Sequence, residues 1–166
     1  VLYVKLPEKL YPLIKKSGLD PELLANYRPI AKLKFVAKLV ERACANQIHA
    51  YLESNGLYGR TQSAYRKNHS VETAMIRIYN DLLLAADRGQ ETVLVMLDYS
   101  SAFDTIDYDI MLHRLSSSYG IAGTALNWFH SYFSNRTQSV LINGISSVPT
   151  VLTEGVPQGS VMGPLC

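Results

Sequence analysis

Four aspartates fall within twelve residues of the sequence, at Asp98, Asp104, Asp107 and Asp109. Ionised carboxylates are the ligands that Mg²⁺ prefers, and two-metal phosphoryl chemistry needs several of them to hold cations about 3.5 to 4 Å apart. Asp98 follows the apolar run 92–97, at the end of a predicted buried strand, which is a common place for a metal ligand. A turn or cap explains Asp98 equally well, the next helix better explains Asp107 and Asp109, and Asp104 stays ambiguous.

Other catalytic patterns are absent from the sequence. The four histidines have neither metal-ligand spacing nor a Ser-His-Asp or Cys-His order. The two cysteines, Cys44 and Cys166, form neither a disulfide framework nor a zinc motif, which favours a reducing compartment. The sequence also lacks a Walker loop and a Gly-x-Gly-x-x-Gly turn, so small-molecule nucleotide folds lose support.

Apolar residues recur at helical spacing in four segments: 33–52, 71–85, 108–120 and 123–133. In the first, Glu41 falls with the charged residues of the opposite, solvent-facing side. Ser70 has the type and position of an N-cap for the second helix, and Asp107 for the third. The fourth is predicted to turn Trp128 and Phe129 inward.

Strand patterns occur at residues 10–14, at residues 92–97 and on both sides of Asn143-Gly144. The run 92–97 is apolar at both odd and even positions, which predicts a strand that is covered on both faces. Pro29 favours an extended conformation for Arg28. Asn143-Gly144 suits a two-residue type I′ turn, and its hairpin leads to the Gly/Pro-dense segment 155–165, where backbone can approach a ligand closely.

Four motifs, taken in order and spacing, resemble the reverse transcriptases of non-LTR (LINE-type) retrotransposons across residues 10–166. They are N-Y-R-P-I-A at 26–31, Q-S-A-Y-R-K-N-H-S at 62–70, L-D-Y-S-S-A-F-D-T-I-D-Y at 97–108 and G-V-P-Q-G-S-V-M-G-P-L at 155–165. The resemblance implies an α+β right-hand polymerase fold. It assigns residues 1–90 to a fingers-like region and residues 91–166 to a partial palm with an incomplete antiparallel sheet.

The resemblance also implies roles for individual residues in the palm. The position of Asp98 binds both catalytic Mg²⁺ ions, with Mn²⁺ as an alternative cofactor. The ring of Phe103 packs under the incoming sugar and rejects a 2′-hydroxyl. The backbone amides of Ser101 and Ala102 meet the triphosphate, since they can donate to anionic oxygens without adding charge.

Further matching residues would hold the nucleotide and the template. Arg28 matches an arginine that clamps the triphosphate with its guanidinium fork, and a surface salt bridge is the simpler alternative. Gln158 and Gly159 match residues that line the nucleotide pocket. Arg66 and Lys67 lie in a motif associated with template contact.

The implied activity is RNA-directed DNA polymerisation with an RNA template, a DNA primer and deoxynucleoside triphosphates as partners. The intact element would place such an enzyme inside the cell, in nucleus and cytoplasm, as a ribonucleoprotein. No membrane partner is expected, because clean apolar runs such as 93–97 are far shorter than the roughly 20 residues that span a bilayer.

Two departures from the family pattern affect the expected activity. The sequence contains no Asp-Asp pair, whereas the family's Tyr-x-Asp-Asp hairpin, downstream of residues 155–165, supplies two further metal carboxylates. We therefore expect this chain alone to be inactive without the missing remainder of the polymerase, and the strand 92–97 to have an open edge. Ala64-Tyr65 replaces the usual Gly-Phe, which places a special backbone torsion there in doubt.

A non-catalytic nucleic-acid-binding remnant is the main alternative function. Its phosphate contacts would come from five basic residues: Arg28, Lys32, Lys34, Arg66 and Lys67. Residues 1–50 hold nine Lys/Arg against four acids and residues 91–166 hold two against six, an asymmetry that solvated faces and capping aspartates also explain. A phosphoacceptor aspartate has less support, because Ser100 stands where that signature needs a second aspartate.

Overall fold

The computed structural model describes residues 8–99 and 101–165. The helices of this part are α1 (Phe35–Ser54), α2 (Val71–Asp87), α3 (Tyr108–Ser117) and α4 (Gly123–Phe133). The strands are β1 (Glu8–Ile14), β2 (Tyr27–Ala31), β3 (Arg136–Ile142), β4 (Ile145–Ser146) and β5 (Thr150–Leu152). Two compact units result, one with described residues 8–48 and 101–165, the other with residues 49–99.

The strands form a mixed sheet in the first unit. Its order is β2-β1-β3-β4, and β5 also pairs with β3. β1 and β2 are antiparallel, with Leu13 opposite Arg28, whereas β1 and β3 are parallel, with Glu8 opposite Gln138. The predicted strand at 10–14 and the extended conformation of Arg28 are therefore confirmed. The sheet of the described residues is mixed rather than antiparallel.

The hairpin between β3 and β4 has the predicted turn. Asn143 and Gly144 have φ values of 50° and 82°, the positive pair that a type I′ turn requires. After the turn, the strand that pairs with β3 is divided into β4 and β5. The break lies near Pro149, which has no N–H to donate to a neighbouring strand. There Ser147 continues the pairing, because its amide donates to the Val140 carbonyl (2.9 Å) and its hydroxyl accepts from the Val140 amide (3.0 Å).

The buried core lies in the first unit and centres on α4. Trp128, Phe129, Tyr132 and Phe133 are all buried, with the Trp128 and Tyr132 rings stacked at 5.4 Å, so the inward direction predicted for α4 is confirmed. Met162 joins this cluster from the segment 155–165. Because each buried side chain of this size contributes roughly 1.5 to 3 kcal/mol, the core fixes α4 and that segment together.

The second unit has a well-formed helix start but no buried side chain among residues 49–99. Ser70 caps α2 as predicted: its hydroxyl accepts from the Thr73 amide (3.2 Å) while the Thr73 hydroxyl accepts from the Ser70 amide (2.9 Å). The apolar stripe of α2 is only partly covered. No helix among the described residues is long and apolar enough to cross a membrane.

The predicted strand at residues 92–97 is not found. The segment has no regular secondary structure, and its side chains are exposed. The physical reason is that a strand needs a partner for its backbone hydrogen bonds, and no strand in the described part of the chain pairs with it. Asp98 therefore follows an exposed segment rather than a buried strand.

The prediction that Glu41 faces solvent is also wrong. Glu41 is fully buried, whereas Phe35 and Val36 at the start of α1 are exposed. The Val161 amide donates to the Glu41 carboxylate at 2.7 Å. The helix thus turns a charged residue inward because a loop amide there needs an acceptor.

Candidate nucleotide-binding site

Residues 155–158 connect the segments on which the sequence places a nucleotide site. The Val156 amide donates to the Phe103 carbonyl at 2.7 Å, and the Gln158 carbonyl accepts from the Ala31 amide at 3.0 Å. Ala31 ends β2, the strand that carries Arg28. The fold therefore brings the Arg28 strand, the turn at residues 101–104 and the Gly/Pro-dense segment into one neighbourhood.

The turn at residues 101–104 packs directly against Gly155. The Asp104 amide donates to the Ser101 carbonyl at 2.8 Å, with Ser101 at a φ of 56°. Gly155 has a φ of 81°, and a Cβ there would lie 3.0 Å from the Asp104 carbonyl oxygen and 3.1 Å from the Phe103 carbonyl oxygen. Glycine is required here for its torsion and for the close approach of two backbones.

Gln158 and Gly159 lie beside this turn. The Gln158 Nε2 atom is 3.5 Å from both carboxylate oxygens of Asp104, the outer limit of a hydrogen bond. Gly159 has a φ of 103°, and a Cβ at this residue would lie 3.3 Å from the Ala31 carbonyl oxygen. The backbone of Gly159 thus passes close to the end of β2.

Arg28 and Phe103 present two different kinds of surface. Arg28 is exposed, and within the described residues it forms no salt bridge. Phe103 is half-buried and packs against the core cluster. The site therefore has a cationic side chain open to solvent and an aromatic side chain supported by the core.

A cavity of about 400 Å³ opens beside these residues in the first unit. Its lining includes both charged and amide side chains: Glu8, Asp104, Arg136, Gln138, Glu154 and Gln158. Pro29, next to Arg28, also lines it. The volume of this cavity falls within the range of small-molecule sites.

A buried ion pair in the wall of this cavity was not predicted from the sequence. Arg136 Nε donates to Glu8 Oε1 at 2.8 Å, and Arg136 Nη2 donates to Glu8 Oε2 at 3.0 Å. Burial raises the pKa of Glu8, an effect that the Arg136 guanidinium opposes. No local pattern indicates the pair, because 128 residues separate its members.

Tyr108 extends the ion pair toward the segment 155–158. Its hydroxyl accepts from Arg136 Nη1 at 2.9 Å. The single hydroxyl proton is shared between the carbonyl oxygens of Glu154 and Gly155, each 2.8 Å away. Arg136 Nη1 also donates to the Gly155 carbonyl. Burial raises the pKa of Tyr108, which keeps the hydroxyl protonated as a donor.

The aspartates after the turn are explained by α3. The Asp107 carboxylate accepts from the Ile110 amide at 2.9 Å, which confirms the predicted N-cap. Asp109 lies in the first turn, where a negative charge interacts favourably with the helix dipole. Asp104 is the remaining member of this group in the first unit, and it lies beside Gln158.

The other predicted site residues, Asp98, Arg66 and Lys67, lie in the second unit. Arg66 forms an ion pair with Glu53 at 3.5 Å, and its guanidinium lies 4.9 Å from the centre of the Tyr58 ring. Its guanidinium thus stabilises the packing of the linker. Lys67 is exposed.

The Ala64-Tyr65 pair shows where the unusual torsion of the linker lies. Tyr65 has a φ of 54°, and Asn68 has a φ of 62°. Ala64 is not among the residues with positive φ. The left-handed conformation therefore falls on the aromatic residue, and alanine at position 64 meets no such requirement.

The mixed α/β fold is consistent with a domain of the reverse transcriptase class, and the four motifs occur in the order of that class. The family model described as "Reverse transcriptase (RNA-dependent DNA polymerase)" matches residues 14–166, and the chain belongs to this family. The predicted resemblance to reverse transcriptases of non-LTR retrotransposons is confirmed.

Several relatives are encoded by mobile elements of Drosophila. The chain is 30% identical over 153 residues to a probable RNA-directed DNA polymerase from transposon BS and to another from transposon X-element, both of Drosophila melanogaster. It is 28% identical over 152 residues to the RNA-directed DNA polymerase from mobile element jockey of Drosophila funebris. Each match covers 92% of this chain but only 16 to 17% of the relative, so the chain corresponds to a small part of those proteins.

Proposed function

We propose that this chain supplies the nucleotide-binding part of an RNA-directed DNA polymerase of a retrotransposon, with an RNA template, a DNA primer and deoxynucleoside triphosphates as partners. The observation that carries the proposal is the hydrogen bonding of residues 155–158 to both β2 and the turn at residues 101–104. In this proposal, residues 1–90 belong to the fingers and residues 91–166 to the palm of a right-hand polymerase.

Each group near the site has a chemistry suited to one part of a nucleotide. Arg28, exposed and without a salt bridge in the described residues, would grip phosphate oxygens with its planar fork. The amides of Ser101 and Ala102 would donate to the same triphosphate. Phe103 would form a stiff wall against a 2′-hydroxyl, because the core holds its ring. Gln158 would line the pocket, as its position in the cavity wall supports.

Asp98 is proposed as one carboxylate ligand of the divalent ions that this family uses, Mg²⁺ or Mn²⁺. In residues 8–99 and 101–165, no group of three or more His, Cys, Asp and Glu side chains could hold a metal ion. One exposed carboxylate does not complete such a site. Apart from the single ligand at Asp98, we therefore assign to the described residues the binding and orientation of the nucleotide.

The proposal is tested by titrating dATP with Mg²⁺ into the purified chain and measuring affinity by calorimetry. We expect Arg28→Ala to weaken binding by about tenfold, since charge-assisted hydrogen bonds to phosphate are strong. Arg28→Lys should restore only part of the affinity, because an ammonium group lacks the fork. Arg77→Ala, on the exposed surface of α2, is the matched control. Equal effects at Arg28 and Arg77 would contradict the proposal.

A primer-extension assay tests the assignment of the metal ligand. With an RNA template, a DNA primer, nucleotides and either Mg²⁺ or Mn²⁺, we expect no extension above background. The reason is that Asp98 supplies one carboxylate where such chemistry needs several. Robust DNA synthesis by the 166-residue chain would show that the metal site lies elsewhere.

Non-catalytic binding of nucleic acid is the second candidate function, favoured by the exposure of Arg28, Lys32, Lys34 and Lys67. Each phosphate contact to a single strand should contribute a slope of about −0.7 to the dependence of log affinity on log salt. An affinity for single-stranded RNA that does not change with salt would exclude this candidate. Nucleotide affinity that depends on Arg28 distinguishes the polymerase proposal from it.

A further inference from the structure

Arg136 contacts three elements at once. It begins β3, and its buried guanidinium binds both carboxylate oxygens of Glu8 at the start of β1. It also donates to the hydroxyl of Tyr108, the first residue of α3, and to the carbonyl of Gly155. All of these partners lie in the first unit.

The contacts of Gly155 fix this peptide from two sides. Its carbonyl accepts from Arg136 and from Tyr108, while its amide donates to the Ile106 carbonyl at 2.8 Å. The next amide, of Val156, donates to the Phe103 carbonyl. A displacement of the Gly155 carbonyl would therefore be transmitted to the backbone of Phe103.

The same segment determines where β2 ends. Three residues after Gly155, the Gln158 carbonyl accepts from the Ala31 amide at the end of the strand that carries Arg28. The segment thus lies between the proposed triphosphate ligand and the proposed sugar-contacting ring. Whatever holds residues 155–158 sets the spacing between these two groups.

Arginine suits this position for a chemical reason. Its planar guanidinium presents several N–H donors in fixed directions, so one side chain can bind a carboxylate and a carbonyl together. An ammonium group is a point charge on a flexible stem and cannot reproduce this geometry. Glu8 compensates the buried positive charge of Arg136.

We propose that Arg136, oriented by Glu8 and Tyr108, is a positioning residue that fixes residues 155–158 and thereby sets the spacing between Arg28 and Phe103. This inference rests on the proposed function, because it assigns those two residues to the nucleotide. It predicts that weakening the Arg136 contacts lowers nucleotide affinity and reduces discrimination against a 2′-hydroxyl. The helical core of α4 should stay intact in such variants.

Two variants and one control test the inference. Tyr108→Phe removes a hydroxyl but keeps the ring, which stacks on Phe133 at 5.2 Å. Arg136→Lys keeps the charge and removes the fork. Tyr79→Phe makes the same change as Tyr108→Phe at an exposed residue of α2.

Amide hydrogen exchange and nucleotide affinity are measured for each variant. We expect the Val156 and Ala31 amides of Tyr108→Phe to exchange about fivefold faster, which is the size of one net hydrogen bond, while the Phe133 amide in α4 is unchanged. Affinity for dATP should fall by about fivefold, and the preference for dATP over ATP should shrink in parallel. Arg136→Lys should give larger changes of the same kind, and Tyr79→Phe none.

The outcomes separate this inference from the proposed function. Unchanged exchange at Val156 and Ala31, or an equal increase at Phe133, would overturn the positioning role and leave nucleotide binding intact. A parent chain without affinity for dATP would overturn the proposed function itself. If Arg136→Lys fails to fold, the milder Tyr108→Phe decides the question.

Discussion

Residues 92–98, which lead into the motif at 97–108, and residues 155–165 both contain many apolar side chains, yet the fold leaves the first segment exposed and buries much of the second. In the first segment, Val95 is 71% exposed and Met96 is 85% exposed. In the second, Val156 is 4% exposed and Met162 is 1% exposed. Apolar composition alone therefore does not decide which segment is buried.

The difference lies in the backbone partners of the two segments. The amides of Gly155, Val156 and Val161 donate to two carbonyls and to the Glu41 carboxylate. Among the described residues, no strand pairs with residues 92–98 through backbone hydrogen bonds. Because a buried peptide group without a partner is costly, a segment can bury its side chains only where its backbone is also satisfied.

The largest effect is expected from Gly155→Ala. The new Cβ would lie 3.0 to 3.1 Å from backbone atoms of residues 103 and 104, and alanine would have to adopt a left-handed backbone conformation. We therefore expect urea unfolding to show about 4 kcal/mol of destabilisation. Gly144→Ala is the matched control, because its φ of 82° is nearly the same but nothing lies within 4 Å. It should cost only about 1 kcal/mol. Equal costs would show that close packing at Gly155 is unimportant.

The same methionine-to-alanine change in both segments tests their burial directly. Met162→Ala should lower the free energy of unfolding by about 3 kcal/mol, because it leaves a cavity in the core. Met96→Ala should change it by less than about 0.5 kcal/mol, since the side chain is already in solvent. A cost above about 2 kcal/mol for Met96→Ala would mean that residues 92–98 are packed against other residues in solution.

A smaller effect is expected from the pH dependence that the burial of Glu8 contributes to the stability of the fold. Burial raises the pKa of Glu8 above its ordinary value of 4.5. A raised folded-state pKa stabilises the fold below the unfolded value, and this contribution is lost as the pH rises through the folded pKa. As the pH rises from about 4 through the raised pKa, the free energy of unfolding of the parent chain should therefore fall relative to that of Glu8→Gln. The midpoints of urea unfolding at each pH measure this difference. If the parent chain instead became more stable relative to Glu8→Gln as the pH rises, the predicted direction of the pH dependence would be wrong.

The smallest effect on stability is expected from Val95→Lys. Because the side chain is exposed, the free energy of unfolding should change by less than about 0.5 kcal/mol. The charge interrupts an apolar run of high β-propensity, so the protein concentration at which turbidity appears should rise. Val148→Lys, at an isolated exposed valine, is the control and should improve solubility less. Equal gains from both variants would argue against residues 92–97 as the segment that aggregates.

Several features of the fold were predictable because they depend on neighbours in the sequence. Ser70 and Asp107 cap helices through residues three positions later, and Asn143-Gly144 forms its turn within two residues. Strand β1 and the inward side of α4 follow from short apolar patterns, and Pro29 predicted the extended conformation of Arg28 in β2. The four motifs, in their order and spacing, were sufficient to recognise the family.

The features that the sequence did not predict depend on distant partners. Glu41 is buried where its carboxylate accepts a hydrogen bond from the Val161 amide, 120 residues further along the chain. Glu8 and Arg136 meet only because β1 and β3 lie side by side in parallel. Residues 92–97 have the composition of a buried strand, but pairing is a property of two segments and cannot be inferred from one.

The sequence by itself determined the helices and their caps, the type I′ turn, the family and the residues proposed to contact a nucleotide. The helices, the caps and the turn follow from torsional preferences and hydrogen bonds that act over a few residues. The family and the proposed contact residues follow from the order and spacing of the four motifs. Only the tertiary structure decided that residues 155–165 are largely buried while residues 92–98 are exposed, and which charged side chains enter the core. The physical reason is that burial requires every polar group to find a partner, and those partners come from parts of the chain that only folding brings together.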